Sequence, residues 1–224
     1  MTDTSWRWHL VVPLKPLTEA KTRLTAQPSI RRNLVRAFAR DVVAACVAGA
    51  PNHDIAVVGD ASWAEEVPPS VRLCPDEGPD LNGALRKVVA ALPSTDPVAI
   101  ILGDLPCVTA DDIRRLLRVA GELLATHSSV VVPDAAGTGT AVLVSRAGEM
   151  SPSFGPHSRR SHRTAGSVEL DSVAWSRVRC DVDDVADLSR ARSLGLGPNT
   201  SRALEDSGLL TREEGPIVMM DPSS

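Results

Sequence analysis

Apolar positions along the chain follow two rhythms. Short apolar runs predict strands at Leu10–Val12, Asp54–Gly59, Val71–Cys74, Val98–Leu102, Val130–Pro133 and Ala141–Ser145. Fully apolar strands such as Val98–Leu102 are what a parallel sheet covered by helices on both faces requires. Elsewhere the apolar residues recur with helical spacing. Ile30, Leu34, Phe38, Val42 and Cys46 form one face of a helix that stops near Gly49, and Leu81–Leu92 reads as a second helix. Thr109-Ala-Asp-Asp112 resembles a capping box, and the helix it opens carries Ile113, Leu116, Leu117, Ala120 and Leu124 on one face. A last strand is predicted at Val178–Asp181, followed by a helix across Val185–Leu194 with Asp184 as its N-cap. The polar, Gly- and Pro-punctuated segment Arg146–Gly166 reads as a long functional loop with one helical turn. Beyond Gly197 the pattern loosens, and Arg212–Ser224 reads as a frayed tail. Strands alternating with helices predict an α/β fold with a mainly parallel sheet.

The length, 224 residues, suits one domain at residues 8–208 with a flexible tail at 209–224. The net charge is −4 and aromatic residues make up 3% of the chain, with no tyrosine. A nucleic-acid binder needs a basic surface or stacking rings, so nucleic acid is not an expected partner. The longest apolar runs fall far short of the ~20 residues that span a bilayer, and no secretory signal opens the chain, so no membrane partner is expected. Cys46, Cys74, Cys107 and Cys180 are widely spaced and read as reduced thiols. These features predict a soluble cytoplasmic protein; they leave the oligomeric state open. Only three of the 24 basic residues other than histidine are lysines (Lys15, Lys21 and Lys87), and two of them fall within seven residues of each other.

In open α/β sheets ligands bind outside the carboxyl ends of the strands, so the residues just after each strand are the candidates. After the first comes a loop with Lys15, Lys21 and Arg23, three cations suited to wrapping a polyphosphate, or else a solvated basic loop. After the most hydrophobic strand comes Gly103-Asp104-Leu105-Pro106, where Asp104 is placed to hold a hard cation such as Mg²⁺ or to cap the turn. Asp181 and Asp183 follow the last predicted strand and share a side if that strand continues. Two acidic sites at strand ends could hold one or two Mg²⁺ ions for an in-line phosphoryl displacement. Gly137-Thr-Gly-Thr140 offers N–H groups and hydroxyls to an anion, or is a hairpin turn; it is not a Walker loop. The basic segment Phe154–Arg163 suits a small substrate bearing phosphate and carboxylate, or a solvated turn. Asn82, near a helix start, is placed for a base edge or for capping. The chain lacks a GxSxG elbow and an HExxH pair, which disfavours serine hydrolase and zinc chemistry.

Taken in order, six motifs resemble a known family: Val-Pro-Leu-Lys-Pro-Leu-Thr-Glu-Ala-Lys-Thr-Arg-Leu (12–24), Leu-Asn-Gly-Ala-Leu (81–85), Gly-Asp-Leu-Pro (103–106), Gly-Thr-Gly-Thr-Ala (137–141), Phe-Gly-Pro-x-Ser (154–158) and Cys-Asp-Val-Asp (180–183). The family is the phosphoenolpyruvate or 2-phospho-L-lactate guanylyltransferases of deazaflavin coenzyme (factor 420) biosynthesis. Order and spacing carry the resemblance, which covers about residues 8 to 204. It implies a single-domain, Rossmann-like (GT-A-like) nucleotidyltransferase with a mainly parallel mixed sheet flanked by helices, using GTP and Mg²⁺. The phosphate of the three-carbon acid would attack the α-phosphorus of GTP and pyrophosphate would leave.

By this resemblance Asp104 and Asp181 hold Mg²⁺ with Asp183 beside them. Thr140, Gly155 and Ser158 receive the acid, Lys15, Lys21 and Arg23 bind the triphosphate, and Asn82 binds guanine. Lys15, Lys21, Arg23 and Asp104 are thus the expected catalytic set. The Arg-rich, lysine-poor composition looks actinobacterial, and actinobacterial members are taken to use phosphoenolpyruvate. The same reaction on 2-phospho-L-lactate, or a cytidylyl- or molybdopterin-type nucleotidyl transfer, is the alternative. An attacking phosphate is already anionic near neutral pH, so positioning and charge stabilisation suffice and no dedicated base is required. Two departures stand out: Lys-Pro-Leu replaces the glycine-rich opening loop of related nucleotidyltransferases, and Asp183-Asp184-Val185 stands where Asp-Thr-Pro is common.

Overall fold

The computed structural model describes residues 7–17, 23–24 and 27–209. The strands are β1 (His9–Pro13), β2 (Asp54–Gly59), β3 (Arg72–Pro75), β4 (Pro97–Ile101), β5 (Ser129–Pro133), β6 (Thr140–Arg146) and β7 (Val168–Glu169). The helices are α1 (Pro28–Gly49), α2 (Leu81–Ala90), α3 (Ala110–Leu123), α4 (Ser158–Thr164), α5 (Ser176–Arg179), α6 (Val185–Leu194) and α7 (Pro198–Asp206). The strands form one sheet in the order β3-β2-β1-β4-β6-β5-β7. β1, β2, β3 and β4 run parallel, β6 is antiparallel to both β4 and β5, and β7 is parallel to β5. Strand order reverses at β1, whose neighbours are β2 and β4, which makes the crevice above β1 and β4 the expected binding place.

Alternation along β1 divides the core. Leu10 and Val12 pack with Val42, Cys46 and Ile113 on the face covered by α1 and α3. Val11 points to the other face, with Val98, Ile100, Leu85 and Phe154. A third cluster joins Leu34 and Phe38 of α1 to Val182, Leu188 and Leu204. The capping box of Thr109 and Asp112 closes both hydrogen bonds, and Asp184 with Asp187 forms a second one at the start of α6. Cys46, Cys74, Cys107 and Cys180 are all buried free thiols. Among the described residues no helix is long and apolar enough to cross a membrane.

Three elements differ from the sequence reading. Val178–Asp181 is not a strand: Ser176–Arg179 makes one helical turn and the chain then runs past the Asp104 loop, where Val182 N–H donates to Asp104 O at 3.1 Å. The sheet edge is instead β7, two residues long, which pairs with Val130 and Val131. The 146–166 segment holds a 3₁₀ turn at Ala147–Glu149 and the seven-residue helix α4, more than one turn. The looser stretch after Gly197 contains α7, and of the expected tail only Leu209 is among the described residues.

α7 owes its place to a long-range contact. Asp41 of α1, 3% exposed, accepts from Asn199 N (3.0 Å), Asn199 Nδ2 (2.8 Å), Thr200 N (2.9 Å) and Thr200 Oγ1 (2.6 Å). The carboxylate satisfies orphan N–H groups of the helix start and meets its positive end. Asp41→Ala leaves four donors stranded at a buried junction and is expected to cost about 3 kcal/mol. Urea unfolding reads this directly; a loss below about 1 kcal/mol would show that α7 docks without the carboxylate.

Candidate active site

The carboxyl edge of the sheet gathers the charged groups. Beyond β1, Leu14 N–H donates to Val58 O at 2.8 Å, and the Lys15 carbonyl accepts from the indole of buried Trp63 at 3.2 Å. The backbone of the loop is thereby fixed while the Lys15 side chain stays exposed. Beyond β4, Gly103 passes so close to this loop that a Cβ would stand 2.2 Å from Leu14 Cδ2 and 3.2 Å from Pro13 O. Asp104 follows directly. Because β6 is antiparallel, its first residue, Thr140, lies at this same edge, paired with Pro133 at the end of β5. Asp134 comes next after β5.

These loops surround a cleft of about 470 Å³. Its lining includes Lys15, Asn82, Asp104, Thr140, Gly155, Ser158, Asp181 and Asp183, and also Asp80, Asp134 and Trp63. Eight of the residues singled out from sequence therefore meet in one place. Arg23 is exposed and lies 3.5 Å from Asp183, at the rim of the acidic group. Lys21 lies outside the described residues.

The acidic group has an electrostatic signature. Burial pushes the Asp181 carboxyl up to about 7, and the nearby charges of Asp104, Asp134 and Asp183 add to the effect. A weak hydrogen bond from Ala135 N–H, at 3.4 Å, opposes it. Carboxylates held together at a cost in charge repulsion are suited to a cation. Among the described residues no three His, Cys, Asp or Glu side chains already converge at metal-ligand spacing.

Asp134 escaped the sequence reading, although it obeys the rule that singled out Asp104: a carboxylate just past a strand's carboxyl end. Its Oδ1 accepts from Thr138 N (2.9 Å) and its Oδ2 from Gly139 N (2.7 Å), which folds the Gly137–Thr140 turn back onto the acidic group. A Cβ at Gly139 would stand 2.3 Å from Asp134 Oδ2, so any side chain there would push the Asp134 carboxylate off the turn. Asp80, not Asn82, caps α2, accepting from Gly83 N at 2.7 Å. The Asn82 amide bonds the Phe154 backbone in both directions, Nδ2 to Phe154 O at 2.9 Å and Oδ1 from Phe154 N at 2.7 Å. It thus fastens the loop carrying Gly155 to the start of α2. Of the basic residues in the 154–163 segment, Arg159 is committed to a bidentate pair with Glu169, both contacts 2.8 Å. That pairing holds the Glu169 carboxyl below its ordinary range.

Comparison with known proteins places this geometry. The family model described as "Guanylyl transferase CofC like" matches residues 8–200. A phosphoenolpyruvate guanylyltransferase of Streptomyces scabiei is 41% identical over 210 residues, covering 88% of this chain and 95% of the relative. One of Streptomyces avermitilis is 42% identical over 206 residues, covering 88% and 94%. Among solved structures, one from Desulfovibrio desulfuricans G20 titled as a nucleotide-diphospho-sugar transferase superposes with a TM-score of 0.64 at 16% identity, covering 90% of this chain and 95% of that one. The last likeness speaks to the α/β fold alone. The family match over residues 8–200, with several of its motifs gathered around one cleft, makes the chain a member of the CofC-like guanylyltransferase family, a nucleotidyltransferase.

Proposed function

We propose that the protein transfers GMP from GTP to phosphoenolpyruvate, releasing pyrophosphate and forming enolpyruvoyl-2-diphospho-guanosine, a step in deazaflavin coenzyme biosynthesis. The observation that carries this reading is the meeting of Asp104 and Asp181 with Thr140, Gly155 and Ser158 in one cleft. Phosphoenolpyruvate is preferred to 2-phospho-L-lactate because the relatives at 41% and 42% identity bear that substrate in their names.

In this reading an oxygen of the acid's phosphate attacks the α-phosphorus while the bond to the bridging oxygen of pyrophosphate breaks. Asp104 and Asp181 hold Mg²⁺, with Asp183 beside them; when bound, the ion neutralises charge on the phosphates. Lys15, Lys21 and Arg23 bind the triphosphate, drawing charge toward the leaving pyrophosphate. Thr140 and Ser158, both nearly buried, and Gly155 orient the acid, and Asn82 lies beside the guanine. Holding both substrates in line adds to this charge stabilisation, and no proton has to be removed from the nucleophile.

Pyrophosphate release by the purified protein with GTP and Mg²⁺ tests this. Release is expected with phosphoenolpyruvate and not without an acceptor. Release with 2-phospho-L-lactate alone would keep the chemistry and change the acceptor. No release with either acid and any of the four nucleoside triphosphates would overturn the proposal.

A further inference from the structure

The geometry points to His162 as a positioning residue that fixes the direction of the Thr140 hydroxyl, so that its O–H donates into the cleft toward the anionic acid. This rests on the function proposed above and deepens it, since nothing in the motifs of the family resemblance involves this histidine.

His162 lies on α4 and is 2% exposed. Its Nε2 sits 3.1 Å from the backbone N of Ser153. A backbone N–H can only donate, so Nε2 presents its lone pair. A neutral imidazole then carries its single proton on Nδ1, and burial favours the neutral ring by pushing its pKa down. Nδ1 lies 2.9 Å from Thr140 Oγ1. Thr140 therefore accepts from the ring, and its own hydrogen must point elsewhere. Thr140 lines the cleft, so the hydroxyl is left as a donor for a ligand there. A hydroxyl held this way needs no reorientation when a phosphate or carboxylate arrives, which is the advantage of a preorganised donor.

The same ring ties together the pieces proposed to hold the acid. It stands edge-on to Phe154, with ring centroids 5.6 Å apart, and Phe154 and Gly155 both line the cleft. It shares α4 with Ser158. One side chain thus joins the start of β6, the 153–155 loop and α4.

Two substitutions separate the two ring nitrogens. His162→Asn places an amide near the Nδ1 position and keeps a donor for Thr140, giving up the Ser153 contact. His162→Gln reaches the Nε2 position and keeps an acceptor for Ser153, giving up the Thr140 contact. The Gln variant is expected to raise KM for phosphoenolpyruvate about tenfold with a much smaller change in KM for GTP, and the Asn variant to stay within about threefold. Both lose one hydrogen bond, so their Tm values should match. Parallel changes in both KM values, or a Gln variant that behaves as wild type, would reduce His162 to a packing role. A readout independent of turnover is the side-chain ¹⁵N spectrum of the substrate-free protein, with His162 assigned by its loss in the Asn variant. A pyrrole-type Nδ1 and a pyridine-type Nε2 are expected, and the reverse would overturn the inference even in an active enzyme. If wild-type protein releases no pyrophosphate, the functional reading fails instead.

Discussion

Asp104→Asn is expected to lower kcat about 10³-fold, or about 4 kcal/mol of transition-state stabilisation, without lowering Tm. The substitution is close to isosteric, so the turn after β4 keeps its shape. The backbone contact there, Val182 N–H to Asp104 O at 3.1 Å, does not depend on the side chain. What disappears is one negative charge from a cluster whose charges act against one another, since Asp104 is the foremost charged neighbour raising the Asp181 carboxyl. Folding stability should therefore hold or rise slightly while turnover collapses. Steady-state kinetics at saturating Mg²⁺, beside a thermal melt of the same sample, would check both halves. Activity within tenfold of wild type would remove Asp104 from the metal site and leave the cleft without its central ligand.

The sequence made the framework legible because burial in this fold follows local rhythm. The apolar runs at Leu10–Val12 and Asp54–Gly59 coincide with the parallel strands β1 and β2, and both predicted caps, at Thr109 and Asp184, close as expected. Asp104 is legible as a candidate ligand because it stands just past Val98–Leu102, an unmistakable strand. What local rhythm cannot show is where an element finds its partner. Val178, Cys180 and Val182 alternate like a strand, yet all three are buried against helices and neighbouring loops rather than paired in the sheet. Alternation reports which side chains are buried, not which backbone groups are bonded. α7 is polar in composition and is held by Asp41, 158 residues away from Asn199 in sequence, a dependence no window can reveal. Of the site itself, charge and position suggested the acidic group and the basic loop. The work of Asn82 and His162, two side chains that bond the 153–155 loop, appears only once the chain is folded.

Asp181→Asn should move activity and stability in opposite directions, and the stability change should depend on pH. In the unfolded chain this carboxyl titrates near 3.8, and in the folded protein near 7. Between those values the folded state keeps a proton that the unfolded state has released, so Asp181 costs nothing at low pH and its penalty grows as pH rises. Above about 7 the penalty is complete. At about 1.4 kcal/mol per unit it would reach about 4 kcal/mol for a dry site, and the water in an open cleft lowers it to about 2 kcal/mol. In EDTA at pH 8 the Asn variant should therefore melt about 4–8 °C above wild type, a gap that narrows toward pH 5 and closes below the unfolded value. Adding Mg²⁺ at pH 8 should raise the wild-type Tm and erase the variant's advantage, because a divalent cation offsets the repulsion that the amide had removed. Turnover of the variant should fall by at least 10² throughout. An Asn variant that melts below wild type in EDTA at pH 8 would mean that the four carboxylates do not repel one another as their placement requires, and the metal site would have to lie elsewhere in the cleft.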